Sequence, residues 1–214
     1  SLPPEKRHRG GIRTTLKNFG LLLGDRAFFL LLVGFGMTFG SMMAYISASP
    51  FVGQVFLGMN QIQYAFAFAA GASALIIANF INAKLARTIQ PASMLLFGTT
   101  LSFVCAILIL SIVLLGALTW WIFILGAFLL IAGVAFTMSN SSALALFIAK
   151  NARGSGSALL GASQFLIGAA VSPIVGAWGE STALPMSIII AAGTFLAFLA
   201  AVLFNTKYRK ATRS

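Results

Sequence analysis

Charge is what this chain has least of. Only 3 of its 214 residues are acidic and 1 is histidine, against 14 Lys and Arg. Between Ala27 and Phe204 lie six apolar stretches, 27–49, 62–83, 92–115, 121–149, 157–178 and 184–204, and none contains Asp, Glu, Lys, Arg or His. Intramembrane hydrolysis needs a nucleophile with a base, and metal chemistry needs imidazole or carboxylate ligands. Neither set is available inside these stretches, so an enzyme is not expected, nor a metal or other cofactor. Cysteine is equally scarce: Cys105 alone, in the middle of the third stretch, excludes a disulfide framework and a Cys-rich metal site.

What is present is hydrocarbon. Hydrophobic residues make up 59% of the chain and charged ones 8%, where a soluble domain has about 25% charged. About 20 apolar residues cross the bilayer core as a helix, and each stretch is that long. Barrel strands would be about half as long and would alternate polar with apolar; no such alternation is visible. The fold class expected is therefore an all-α membrane protein with six transmembrane helices.

Lys and Arg resist translocation, so their placement orients the helices. They occupy the first 26 residues (Lys6, Arg7, Arg9, Arg13, Lys17, Arg26), the loop after the second stretch (Lys84, Arg87), the loop after the fourth (Lys150, Arg153) and the tail (Lys207, Arg209, Lys210, Arg213). The intervening loops, 51–61, 116–120 and 179–183, hold no basic residue and one acid, Glu180. Alternation puts every basic segment on one side, with both termini cytoplasmic. The net charge of +11 is thereby assigned to topology and anionic headgroups. The basic residues are split among four short segments with little aromatic interleaving, so no nucleic acid is expected as a partner.

Three regions follow: a basic linker over 1–26, a six-helix bundle over 27–204 and a basic tail over 205–214. Within the linker, Leu16, Phe19 and Leu23 share one face of a short amphipathic helix near Ile12–Leu23, with a plain flexible connector as the alternative. The first apolar stretch is too long, and lacks the small-residue site, for a cleaved signal peptide. The chain opens on Ser1 and a polar SLPPEKRHRGG segment, which reads as part of something longer.

Small and polar residues mark positions inside the helices. Gly126, Gly133 and Asn140 recur seven apart, and Gly161, Gly168, Ser172 and Gly176 share a face; small faces let helices approach closely in lipid. Pro50, in YISASPF, predicts a break near the outer interface, where Ser47 and Ser49 hydroxyls satisfy freed backbone groups. Pro173, in GAAVSPIVG, predicts a bend in the fifth helix. Pro50, Gly168, Pro173 and Gly176 are accordingly candidate hinge positions. Asn79, Asn82, Asn140 and Gln164 are costly to bury unpaired and should face protein or water. Phe35, Phe39, Met42 and Ile46 share one face of the first helix; Tyr64, Phe68, Leu75 and Asn79 share one of the second. Rings and thioethers make an adaptable apolar wall, although lipid contact or core packing accounts for most such stripes.

AYISASPFV, ANFINAKLAR and ARGSGSALLGASQFLIGAAVSPIVG together resemble the Bcr/CflA group of bacterial drug/proton antiporters, within the major facilitator superfamily. The resemblance covers residues 20–205 and maps onto the C-terminal six-helix half of a twelve-helix transporter. It implies a multi-pass protein of the bacterial inner membrane, paired with an N-terminal six-helix half, that exports drug-like molecules. It also implies a cavity wall of Met42, Met43 and Ile46, with Tyr45 beside them, Tyr64 and Phe68, Asn140, and Gln164. The proton-carrying carboxylates of that group lie in the other half. In this chain Asp25 sits at an inner edge, Glu180 in an outer loop and His8 in the linker, so none can relay a proton through the midplane. Two other readings stay open: a nutrient or metabolite transporter of the same superfamily, and a non-transport six-helix scaffold.

Overall fold

The computed structural model describes residues 12–177 and 182–208, all helix and short turns. Glu180, the first 11 residues and the tail beyond 208, with their basic side chains, lie outside the described residues. α1 spans Ile12–Gly24, α2 Arg26–Pro50, α3 Gln61–Leu85, α4 Pro91–Leu114, α5 Trp120–Ile148, α6 Arg153–Ala177 and α7 Leu184–Tyr208. Six of these, α2 to α7, are long and apolar enough to cross a bilayer.

Local chemistry starts α2, α3 and α4. The Asp25 carboxylate accepts the Ala27 and Phe28 amides at 2.8 and 3.1 Å, capping α2. Asn60 and Gln63 form a reciprocal capping box at the start of α3, at 3.0 and 2.9 Å. Pro91 opens α4 at its first turn, where a missing N–H costs nothing. Gly116, at φ +65°, turns the chain out of α4.

The expected break at Pro50 is absent. α2 runs through Pro50 and continues as one π-helical turn over Phe51–Phe56, so the first crossing reaches 31 residues. Proline has no N–H for the Ile46 carbonyl, and the Ser49 hydroxyl donates to that oxygen at 3.4 Å instead. Beyond it the wider turn takes over, with the Leu57 amide reaching Val52 O at 2.9 Å. The ring is thus accommodated by widening the helix, and the loop shrinks to the few residues before Gln61. α6 begins at Arg153, ahead of its apolar run. A Cβ on Gly156 would sit 2.9 Å from Ala149 Cβ, so glycine allows the tight turn between α5 and α6.

The helices run up and down, and the two larger core clusters sit at the two ends, with a smaller third of Ala78, Met94, Ala135 and Phe136 joining α3, α4 and α5. One cluster gathers Ala27, Phe28, Leu95, Leu144, Leu160 and Phe204 at the end that carries the basic loops. The other gathers Ala48, Val52, Met59, Leu118, Phe123 and Met186 at the opposite end. α2 packs on α5, α6 and α7; α4 packs on α5 and α7. α3 leans mainly on α5 and α6 mainly on α2, which leaves these two the least buried crossings. α1 touches α2 and α6 through its buried Leu22, while Leu16 and Leu23 of the expected apolar face are exposed.

Backbones meet most closely where α4 crosses α5. A Cβ on Gly98 would lie 2.7 Å from Phe136 Cβ and 2.8 Å from the Thr137 amide. α7 is tied to its neighbours by the Asn205 amide, which donates to Ala92 O of α4 at 2.9 Å, and by the Ser41 hydroxyl of α2, 3.5 Å from Ile190 O.

Candidate functional site

Among the described residues, four side chain–side chain hydrogen bonds run between α2, α3, α5 and α6. Near the basic end, Ser139 of α5 donates to Asn79 Oδ1 of α3 at 2.8 Å. Beside it, Asn140 Nδ2 donates to Asn82 Oδ1 at 2.7 Å. Toward the opposite end, the Ser47 hydroxyl of α2 meets Ser172 Oγ of α6 at 3.0 Å, and Ser49 Oγ and the Tyr64 hydroxyl of α3 lie 2.9 Å apart. In hydrocarbon an unmatched polar group costs several kcal/mol, which is reason enough for these groups to pair. Every partner in the seam is neutral.

The helical period sets which residues of α3 face the bundle. Ala67, Gly71, Ala74, Ala78 and Asn82 are buried on one side. The Tyr64–Phe68–Leu75–Asn79 stripe lies beside them and is only partly covered, with the Tyr64 and Phe68 ring centroids 6.1 Å apart. Asn79 is exposed, and its amide donates back to Leu75 O at 2.9 Å.

The expected wall residues fall into two groups. Met42, Met43, Tyr64 and Gln164 are half-buried, and Ile46 and Phe68 are exposed; Met43 packs against Gly168. Asn140 is 3% exposed, and its amide hydrogens go to Asn82 and to Phe136 O at 2.7 Å each. Tyr45 is also inside the bundle, 4% exposed, with its ring 6.1 Å from that of Phe123. Its hydroxyl has no hydrogen-bond partner and points at Gly71, where a Cβ would be 3.3 Å away. The cavity against the Tyr45 ring measures about 10 Å³, against roughly 300–1,000 Å³ for ligand pockets. A drug-sized molecule does not fit there.

Of the hinge positions, Gly168 sits in a close contact: a Cβ there would be 2.9 Å from Phe39 Cε1 and 3.2 Å from Met43 Cγ. Pro50 carries the helix into its π turn. Pro173 and Gly176 are exposed, and nothing lies within 4 Å of a Cβ on Gly176 or on Gly161. The small face of α6 therefore meets α2 only at its middle. The glycines that matter most there belong to α2 and are absent from the expected set. Gly36 and Gly40 receive Ile167, whose Cδ1 and Cγ2 would be 2.5 and 2.6 Å from added Cβ atoms. Their Gly-x-x-x-Gly spacing is the signal that marks them. Ser139, Ser172 and Asn82 also joined the seam unforeseen as a set, because a sequence does not say which hydroxyl meets which amide.

The arrangement offers packing and neutral hydrogen bonding beside α3 and α6, the two least buried crossings. Among the described residues no three His, Cys, Asp or Glu side chains come together.

A sequence model of the Major Facilitator Superfamily matches residues 1–173. The chain is 30% identical over 191 residues to an uncharacterized MFS-type transporter, YdgK, of Bacillus subtilis, covering 89% of this chain and 47% of that protein. It is 23% identical over 198 residues to a bicyclomycin resistance protein homolog of Haemophilus influenzae, covering 92% of this chain and 50% of that one. The chain spans about half the length of the curated relatives it matches. With six membrane-crossing helices and bacterial relatives, this is a multi-pass bacterial membrane protein, and it belongs to the major facilitator superfamily of transporters.

Proposed function

We propose that this bundle is one half of a proton-coupled multidrug efflux antiporter of the Bcr/CflA type, exporting small amphipathic or apolar compounds by alternating access. The observation that carries the reading is the uncharged polar seam on α2, α3, α5 and α6, flanked by Met42, Met43, Ile46, Tyr64 and Phe68. Thioethers and rings re-pack around unlike ligands, while the seam offers a few neutral hydrogen bonds. The similarity to a bicyclomycin resistance homolog supports a drug-like cargo.

In this reading a second six-helix bundle faces the seam, substrate binds between the two near mid-membrane, and the halves rock about it. Met42, Met43, Ile46, Tyr64, Phe68 and Gln164 touch substrate. Asn140 holds Asn82 and Ser139 holds Asn79 in place, and Tyr45 backs the wall at Gly71. Pro50, Gly168, Pro173 and Gly176 absorb the bending. No carboxylate, imidazole or amine lies in the six apolar stretches between Ala27 and Phe204, so the proton is carried by the facing half, since coupling needs a group that changes charge in the path. The positive-inside rule puts the end carrying Arg26, Lys84, Arg87, Lys150, Arg153 and Lys207, with both termini, in the cytoplasm, and makes residues 1–26 a cytoplasmic linker.

Thiol labelling tests the seam. In a Cys105→Ser background, Asn79→Cys, Ser139→Cys, Gln164→Cys and Ser172→Cys should react with a membrane-impermeant maleimide. Leu108→Cys, Phe195→Cys and Leu199→Cys, on the exposed outer faces of α4 and α7, should not. Equal labelling of both sets would refute a water-accessible passage along this face.

A further inference from the structure

We propose that the groove between the start of α2 and the end of α7 seats an anionic phospholipid of the leaflet at the basic end. The groove is lined by Leu23, Arg26, Phe29, Leu30, Leu203 and Lys207 and encloses about 320 Å³. Its two walls repeat one pattern. Arg26 stands at the rim of α2, with Phe29 and Leu30 one turn deeper; Lys207 stands at the rim of α7, with Leu203 one turn deeper. One helical turn advances about 5.4 Å, so the cations sit at headgroup depth where the apolar side chains sit at acyl depth. A phospholipid has that same order, phosphate above hydrocarbon.

Arg26 and Lys207 are exposed and form no ion pair among the described residues. Asp25, next to Arg26 in sequence, accepts the Ala27 and Phe28 amides on Oδ1, at 2.8 and 3.1 Å, and is turned to the start of α2 as its cap. Phe29, Leu23 and Leu203 are 48%, 43% and 37% exposed, so the apolar floor is uncovered. At the opposite end, the cavity by Ala48, Phe51, Val52 and Pro185 is about 60 Å³ and has no basic residue in its wall. The two ends therefore differ in charge and in size, and selectivity for anionic lipid belongs to one leaflet. Basic pockets between helices near the membrane surface hold acidic headgroups on these grounds.

The test titrates the delipidated 214-residue chain in neutral detergent with phosphatidylglycerol, phosphatidylcholine and inorganic phosphate, reading bound lipid by native mass spectrometry. Phosphatidylglycerol should bind, phosphatidylcholine only weakly, and phosphate should not displace the lipid. Arg26→Gln with Lys207→Gln should weaken phosphatidylglycerol binding about 25-fold, each basic residue near the surface contributing about fivefold. Arg26→Lys with Lys207→Arg should retain it, and Lys84→Gln with Arg87→Gln, at the same end, should change it little. Should the glutamine pair fail to fold, Leu203→Trp with the cations intact supplies a second readout. The added fluorescence should be quenched by brominated phosphatidylglycerol and spared by brominated phosphatidylcholine. Equal binding of both lipids, equal losses in the two glutamine pairs, or displacement by phosphate would each overturn the site.

Discussion

Asn140 of α5 gives one amide hydrogen to Asn82 of α3 and the other to Phe136 O, each at 2.7 Å. α3 has few other neighbours, so this amide pair and the adjacent Ser139–Asn79 bond fix how it sits on α5. Interhelical hydrogen bonds in membrane proteins couple by about 0.6 kcal/mol on average and up to about 1.7. Asn140 is buried, which places its pair toward the upper limit. Thermal unfolding of Asn140→Ala, Asn82→Ala and the double variant should give a coupling of about 1–1.5 kcal/mol. Simple additivity of the single losses would mean the pair does not act as a unit.

The two ends of the glycine scale differ sharply. A Cβ on Gly98 meets backbone, 2.8 Å from Thr137 N and 2.9 Å from Gly133 O, and backbone cannot swing aside. Gly98→Ala should cost about 1–3 kcal/mol of stability by overpacking. Gly161→Ala has nothing within 4 Å and should stay within about 0.5 kcal/mol of the parent chain. Melting temperatures of the purified variants decide it, and a Gly98→Ala melt matching that of Gly161→Ala would show that α4 and α5 are farther apart than described.

The six crossings could be read from the chain because hydrocarbon needs long uncharged runs. The observed bounds of α3, α4 and α5 fall within two residues of the apolar stretches. The missed pieces are those in which tertiary context overrides composition. Proline, glycine and glutamine in Pro50–Gln54 read as a loop, yet the Ser49 hydroxyl and the π turn keep that stretch helical. α7 outruns its apolar stretch to Tyr208, and Asn205 within that extension is anchored on Ala92 O. At the site, the Met and aromatic stripes were visible as helical periods. The pairing of Ser47 with Ser172, 125 residues apart, was not, since nothing in either neighbourhood names the other.

That same pair reports on α6. A leucine at Gly168 would drive into Phe39 and Met43 and push the helix off α2. With Ser47→Cys and Ser172→Cys in a Cys105→Ser background, oxidative crosslinking should be fast, and Gly168→Leu should slow it at least about tenfold, overpacked helices shifting rather than compressing. Gly176→Leu, in open space, should leave the rate unchanged. Crosslinking indifferent to Gly168→Leu would remove the close α2–α6 contact.

The C-terminal end of α2 should respond to loss of a single hydroxyl. Ser49 Oγ serves both Ile46 O and the Tyr64 hydroxyl, so Ser49→Ala frees a carbonyl and loosens the start of α3. Hydrogen exchange over residues 51–57 should accelerate in Ser49→Ala and less in Tyr64→Phe, which spares the carbonyl contact. Faster exchange in Tyr64→Phe than in Ser49→Ala would assign the π turn another cause.

The proposed function gives this bundle the wall of a passage and no part in proton coupling, because its six apolar stretches hold no charged group. Reconstituting residues 1–214 into liposomes around a pH-sensitive dye, then adding an amphipathic cationic drug, measures that directly. The internal pH should follow that of protein-free liposomes at every drug concentration, with or without an imposed gradient. A saturable, drug-driven pH change from this chain alone would contradict the account.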